Sequence, residues 1–312
     1  MSYHHIPVML DEVLGYLNCR PGKVYVDCTL GGCGHTRAIL SQIMPEGLLI
    51  GLDQDLEAID NAREVLRPFE AGIRLFHANF IRLPELLAQS DIFAVDGILL
   101  DLGLSLHQLE SSGRGFSFLK DEPLDMRMDI RSSTRAGDLI SRMPEKELAR
   151  IFRQYGEERM SRKIARKIIA IRKQTPITTT RQLADLVCSV MPAGPDAKHR
   201  IHPATRTFMA LRIAVNQELE RLDAFMKTAA DLLTPGGRLC VLSFHSLEDR
   251  IVKHSLKHME TACICPPDFP QCICNKKKTM HVLTRRPVRP TDAEIRENRM
   301  ARSTKLRAAE KI

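Results

Sequence analysis

The sequence predicts an α/β fold: an open, doubly wound, mostly parallel sheet interrupted by an all-α insertion. Strand–helix units recur in quick succession through the first hundred residues. The fourth strand, Gly-Ile-Leu-Leu-Asp over 97–101, is apolar up to its aspartate, the pattern of a central parallel strand buried on both faces. A fifth strand of the same character, 238–244, returns only after a long helical stretch, so that stretch interrupts the sheet rather than follows it.

In chain order, residues 6–19 read as an amphipathic helix, with Val8, Met9, Leu10, Val13, Leu14 and Leu17 on one side. The first unit is a strand over 23–30 and a helix over 34–44. The second is a strand over 47–53 and a helix to about Leu66, and the third a strand over 73–80 and a helix to about Gln89. Residues 103–130 are rich in glycine, serine and charge and show no period. Residues 136–200 are helical in pattern, punctuated by Pro144, Gly156, Pro176, Pro192 and Pro195. From Phe208 to Leu233 apolar residues recur at three- and four-residue steps, which predicts one long helix closed by Pro235-Gly-Gly237. Segments 281–286 and 302–308 are candidate edge strands. The expected organisation is a discontinuous sheet domain of residues 1–105 and 206–312 with an inserted loop and helical domain of residues 106–205.

The loop after the first strand, residues 26–36, places three glycines within four residues between an apolar strand and a helix start. Such a turn lets backbone approach a ligand and presents unpaired N–H groups. It lacks the third glycine of the dinucleotide fingerprint, where Arg37 stands, and the Gly-Lys-Ser/Thr of a phosphate-cradling loop. A nicotinamide-dependent oxidoreductase is therefore disfavoured.

The formal charge of +8 is unevenly distributed: −9 over residues 1–130, +9 over 131–181 and +8 over 276–312. An acidic half beside basic segments suggests a polyanionic partner. No apolar run reaches bilayer-spanning length and the N-terminus has no signal-peptide pattern, so a cytoplasmic protein with no membrane partner is expected. Nine cysteines then read as reduced thiols. Two pairs, Cys263-Ile-Cys265 and Cys272-Ile-Cys274, have a spacing that would let four thiolates surround Zn²⁺. Cys-x-Cys is less diagnostic than Cys-x-x-Cys, and no metal is counted among the expected site residues.

Parallel strands deliver their last residues to the carboxyl edge of the sheet, where ligands bind in this architecture. Those ends carry Asp27, Asp53, Asn79 and Phe80, Asp101 and His245. A carboxylate ending the second strand suits ribose hydroxyls, and Asn79 with Phe80 suits an adenine. A glycine-rich first loop, an acid after strand two and a functional loop after strand four resemble S-adenosylmethionine-dependent methyltransferases. More narrowly, His-Ile-Pro-Val-Met-Leu-Asp-Glu (5–12), Asp-x-Thr-x-Gly-Gly-x-Gly-His (27–35), Gly-Ile-Leu-Leu-Asp-Leu-Gly-Leu-Ser (97–105) and Arg-Gly-Phe-Ser-Phe (114–118) resemble one family. So do Pro-Leu-Asp-Met-Arg-Met (123–128), Tyr-Gly-Glu-Glu-Arg (155–159), His-Pro-Ala-Thr-Arg-Thr-Phe (202–208) and Ser-Phe-His-Ser-Leu-Glu-Asp-Arg (243–250). It is the ribosomal RNA small subunit methyltransferase H, or MraW, family, matched over about residues 5–308.

The resemblance implies a Rossmann-like class I methyltransferase sheet, S-adenosylmethionine as cofactor, and N4-methylation of a cytidine in 16S ribosomal RNA. The partner it implies is small-subunit RNA, free or within the 30S subunit; oligomeric state stays open, a homodimer included. Carried over by position, the cofactor residues are Cys33, Gly34, His35, Asp53, Phe80, Asp101 and Gln108. Cys33 departs from the family's usual glycine, and a positive φ there would strain a side chain. Asp101, Ser105 and His245 are alternative acceptors for the target amine, with His245 also readable as a helix N-cap. A base inside structured RNA must be turned out to reach a cofactor. Phe116 and Phe118, flanked by Arg114, are the expected stacking platform, and Arg206, Arg212 and the basic helices at 159–173 the expected phosphate contacts. The remaining rival is a catalytically silent RNA-binding protein that retains the fold.

Overall fold

The computed structural model describes residues 7–191, 201–266 and 271–312. It divides into two compact units, residues 1–103 with 219–312, and residues 104–218.

The first unit is built on a seven-stranded sheet of order β3-β2-β1-β4-β5-β7-β6. Its strands are β1 (Val24–Asp27), β2 (Leu48–Asp53), β3 (Ile73–His77), β4 (Val95–Asp101), β5 (Leu233–Ser243), β6 (Met280–Val282) and β7 (Lys305–Lys311). The five strands β1–β5 pair in parallel, while β7 runs antiparallel between β5 and β6. Both candidate edge segments thus enter the sheet. Helices α1 (Leu10–Leu17), α2 (Gly34–Ile43), α3 (Leu56–Val65) and α4 (Leu83–Gln89) follow the expected strand–helix alternation. The side-chain period of two sorts the strands onto two apolar layers. Ile50, Leu52, Ile98, Leu100 and Val241 point into one core, and Leu49, Leu99, Cys240 and Leu242 into the other. Order reversal between β1 and β4 opens the carboxyl edge where Asp27 and Asp101 end neighbouring strands.

The second unit is helical: α5 (Leu106–Glu110), α6 (Ala136–Arg142), α7 (Glu145–Gly156), α8 (Ser161–Arg172), α9 (Thr180–Val190) and α10 (Thr205–Asn216). Its core is Leu148, Ile151 and Phe152 of α7, Ile164 and Ile168 of α8, Leu183 and Val187 of α9, and Phe208 and Leu211 of α10. The irregular stretch before α6 is held by polar staples. Asn216 Oδ1 accepts from the Met128 N–H (2.8 Å), and its Nδ2 donates to the Met126 and Arg212 carbonyls (2.8 and 2.9 Å). Each buried group left unpaired by its loss would cost about 1–3 kcal/mol.

The single long helix expected over 208–233 is instead two helices. Gln217 adopts a left-handed conformation (φ 51°), and the chain restarts as α11 (Glu218–Thr228). The apolar period survives the break because Phe208, Leu211 and Val215 face the helical core while Leu222, Phe225 and Met226 face the sheet. Periodicity reports that a face is buried, not against what. The chain therefore rejoins the sheet unit at Leu219, later than the residue 206 expected from sequence. Remaining in the sheet unit are α12 (Ser246–Glu260), which follows β5, and the short α13 (Asp292–Glu297). Among the described residues no helix is long and apolar enough to cross a membrane.

Candidate active site at the carboxyl edge of the sheet

The loop from β1 to α2 is braced at both ends by the aspartate that begins it. Asp27 Oδ1 accepts from the Thr29 N–H (3.1 Å) and Oδ2 from the Thr36 hydroxyl (2.6 Å). Burial raises its pKa to about 6, although Thr36, the His35 charge and Thr29 act against the rise. Thr29 ties the loop to the neighbouring strand by accepting from the Asp101 N–H (2.7 Å). The Gly31 N–H ties it to β2 by donating to Asp53 Oδ2 (3.0 Å). Asp27 was expected at this edge as a strand end, whereas Thr36 was not; a hydroxyl just past a glycine loop was the available signal.

Cys33 is the N-cap of α2 at φ 64°, ψ 16°. That is the left-handed region, where the positive φ foreseen as a strain on this side chain costs roughly 1–2 kcal/mol. The thiol is buried in the apolar layer, which lifts its pKa to about 12 and leaves it unreactive. Gly34 has no such latitude: a Cβ there would lie 2.9 Å from the Pro7 ring. Close packing of the N-terminal segment on the helix start thus requires this glycine.

His35 and Asp101 form the centre of the edge. His35 Nδ1 lies 3.4 Å from Asp101 Oδ2, and Nε2 lies 2.9 Å from the Val8 carbonyl. Both partners are acceptors, so both ring nitrogens carry protons when the two contacts are made. Burial alone would lower the pKa, but the hydrogen bond and charge of Asp101, then Asp27 and the Val8 carbonyl, outweigh it and raise it above its usual value. The other Asp101 oxygen, Oδ1, is buried without a hydrogen-bond partner among the described residues. A buried unpaired carboxylate oxygen is costly, and the cost is met where a ligand supplies the missing donor. Just beyond, Gly103 takes φ 105°, and a Cβ there would lie 3.1 Å from the Phe244 ring.

Asp53 accepts from two backbone N–H groups, those of Gly31 and Asp55, one on each oxygen. Burial still pushes it up to about 7, because those bonds only partly offset desolvation and the neighbouring Asp55 and Asp27 charges. Each oxygen keeps a second lone pair for a hydroxyl donor. Phe80 is only 7 % exposed, and its ring meets Phe225 edge-to-face at 5.4 Å. Core packing against Phe225 thus fixes the ring's position just past the end of β3. Asn79 caps the turn after β3 and donates to Gln54 Oε1 (2.9 Å).

His245 is the N-cap of α12: its Nδ1 accepts from the Glu248 N–H (3.4 Å), and Glu248 answers by accepting from the His245 N–H. An accepting Nδ1 places the ring proton on Nε2, which lies 3.2 Å from Glu248 Oε1 but makes no hydrogen bond. Of the two expected roles, the geometry displays the N-cap.

The remaining expected residues belong to the helical unit. Ser105 and Gln108 satisfy one another as the capping box of α5. Arg114 is 8 % exposed; it donates to the Arg127 and Met128 carbonyls (3.1 Å each), and its guanidinium lies 5.5 Å from the Phe116 ring centroid. Phe116 itself is 6 % exposed, and Phe118 stacks on His202 (4.3 Å) and meets Phe208 edge-on. The expected stacking platform is thus part of the helical unit's packing. Arg212 is likewise engaged, in a two-point ion pair with Glu218 (2.9 Å each), in place of the expected phosphate contact. Arg206 sits half-buried on α10 and has no ion pair among the described residues. On α8, Arg162, Lys163, Arg166 and Lys167 are all exposed while Ile164, Ala165 and Ile168 face the core.

The profile of the MraW methylase family matches residues 2–312 of this chain. The ribosomal RNA small subunit methyltransferase H of Desulfosudis oleivorans is 52% identical over 312 residues, covering 100% of both chains. Its counterpart in Desulforapulum autotrophicum is also 52% identical over 312 residues with 100% of both covered, and that of Clostridioides difficile is 44% identical over 315 residues with 100% of both covered. With full-length agreement at this level, and a braced glycine loop beside paired strand-end acids, the chain belongs to the MraW methylase family.

Proposed function

We propose that this protein transfers the methyl group of S-adenosylmethionine to N4 of a cytidine in 16S ribosomal RNA. The observation that carries the reading is Asp101, held on one oxygen by His35 and left on the other with a buried, unpartnered acceptor. When bound, S-adenosylmethionine supplies an electrophilic methyl on a positively charged sulfur, and an edge carrying Asp27, Asp53 and Asp101 favours such a cation. Asp53 holds the ribose hydroxyls, and the backbone at Cys33, Gly34 and His35 frames the cofactor.

A cytosine amine is a weak nucleophile because its lone pair is delocalised into the ring. A carboxylate accepting one N–H favours the pyramidal amine, and in-line placement supplies much of the rest of the acceleration. The methylated amine is acidic enough to release its proton to Asp101 or to water. Incubation with radiolabelled S-adenosylmethionine and under-methylated small subunits, or the RNA extracted from them, is the decisive assay. Label is expected on cytidine N4. Unlabelled RNA in both arms would leave only a binding protein, and label on adenosine or on a cytosine carbon would overturn the regiochemistry.

Asp53 makes cofactor affinity pH-dependent. Its pKa of about 7 in the free protein falls once ribose hydroxyls donate to the carboxylate, so binding releases a proton. Affinity therefore rises with pH, by about tenfold from pH 6 to pH 8, and levels off above. Calorimetry in buffers of different ionisation heat measures both the proton release and the affinity. Asp53→Asn should bind more weakly with a flat profile, and an unchanged slope in that variant would reassign the titration. The same raised pKa costs folding stability as the pH climbs from about 4 to about 7, since the unfolded carboxyl ionises first.

A further inference from the structure

Between α12 and β6 the chain makes an excursion, residues 261–279, whose described residues form neither helix nor strand and enter neither apolar core of the sheet unit. Its two ends are tied together. The Thr279 N–H donates to the Met259 carbonyl (2.9 Å), the Val282 N–H to Glu260 Oε1 (2.9 Å), and Lys278 lies 3.7 Å from the same carboxylate. Away from these ends, Cys263, Cys265, Cys272 and Cys274 converge, and all four are free of disulfides.

Their sulfur atoms all lie within 4.8 Å of one another. The Sγ–Sγ separations are 3.5 Å for Cys263–Cys272, 3.5 Å for Cys272–Cys274 and 3.8 Å for Cys263–Cys274. A tetrahedral zinc site with Zn–S bonds of about 2.3 Å requires sulfur–sulfur edges of about 3.8 Å. Two backbone N–H groups also point at sulfur: Ile264 at Cys274 and Cys265 at Cys263, each at 3.4 Å. Amide donors of this kind stabilise sulfur that carries negative charge. The isoleucine between each pair, Ile264 and Ile273, is exposed, so hydrophobic burial does not gather these thiols. Two disulfides would bring the sulfurs pairwise to about 2.0 Å, whereas the separations here are 3.5 Å or more and all four share one centre.

We propose that Cys263, Cys265, Cys272 and Cys274 bind one structural Zn²⁺ that clamps the 261–279 excursion. Four thiolates close the coordination shell, so the ion has no open position and takes no part in catalysis. Soft sulfur donors in a tetrahedron also suit iron, and zinc is the choice for a site that only needs to hold geometry. Loaded with zinc, the clamp sets the course of the adjoining Lys276-Lys277-Lys278 run. Where binding gathers ligands from separate parts of a chain, metal binding energy contributes directly to ordering it.

The test uses the full chain, purified without an affinity tag and kept reduced. Elemental analysis should find about one zinc per chain, and thiol modification should release it in full. The double variant Cys272→Ser/Cys274→Ser should keep its circular dichroism spectrum, because these residues lie outside both apolar layers of the sheet unit, yet hold less than roughly a tenth of an equivalent. Cys19→Ser, a thiol elsewhere in the unit, should retain the metal. Chelator-stripped, reduced protein should regain one equivalent from zinc chloride, and with Co²⁺ should show tetrahedral thiolate absorption. Reduced protein that is isolated without zinc and takes up none when it is added overturns the proposal. So does recovery of iron with thiolate-to-iron colour, or a zinc content unaffected by the double variant.

Discussion

Replacing Asp101 by alanine is expected to lower kcat/KM for RNA methylation by about 10²–10³-fold, the usual scale for losing one positioned polar group at a reacting centre. The expectation rests on what Asp101 does at the end of β4. Its amide is anchored to Thr29, one carboxylate oxygen is fixed by His35, and the other is buried with no partner. An acceptor prepared in this way need not reorganise when an amine arrives. Alanine also strips His35 of the charge that keeps its pKa raised, so the imidazole becomes neutral at lower pH than in the parent. Single-turnover rates at saturating S-adenosylmethionine isolate the chemical step. If the rate there falls while cofactor affinity changes less than about threefold, Asp101 grips the target amine. A rate within threefold of the parent's in every assay would remove it from the site.

Replacing Lys163, Arg166 and Lys167 together by alanine is expected to weaken RNA binding by up to about 100-fold at 0.1 M salt, and to lower the slope of log K against log salt by about 2. The three lie on the exposed face of α8, whose opposite face is core, so the helix should persist. Among the described residues, Arg166 alone of the three has an ion-pair partner, Glu145 at 3.7 Å, and both are exposed enough for that pair to contribute little. Salt titration of RNA binding reads the slope directly. An unaltered slope would return this face to solvent.

The placements best foreseen are those that follow from backbone pattern. Asp53 and Asp101 stand at strand ends because apolar runs of parallel strands must stop at a polar edge, and an edge at a reversal of strand order is where ligands bind. The residues misjudged are those whose side-chain type fits two environments. Phe116 and Arg114 in a glycine- and serine-rich loop look like a platform for a base, yet the same pair satisfies a buried loop through two carbonyls and a ring. Arg212 looks like a phosphate clamp until Glu218 comes round the turn at Gln217 to meet it. His245 was readable both as an acceptor and as a cap, and the Glu248 N–H on its Nδ1 displays the cap.

Sequence alone determined the order of strands and helices, the interruption of the sheet, the family and the acids at the carboxyl edge, because periodicity and motif order are properties of the chain itself. Tertiary structure decided where the long helix breaks, that Cys33 carries a positive φ, and that His35 and Asp101 share a proton-rich contact. It also brought four thiols separated by up to eleven residues onto one centre. Each of these depends on which groups meet after the chain has folded, and residue type sets only what a meeting can do.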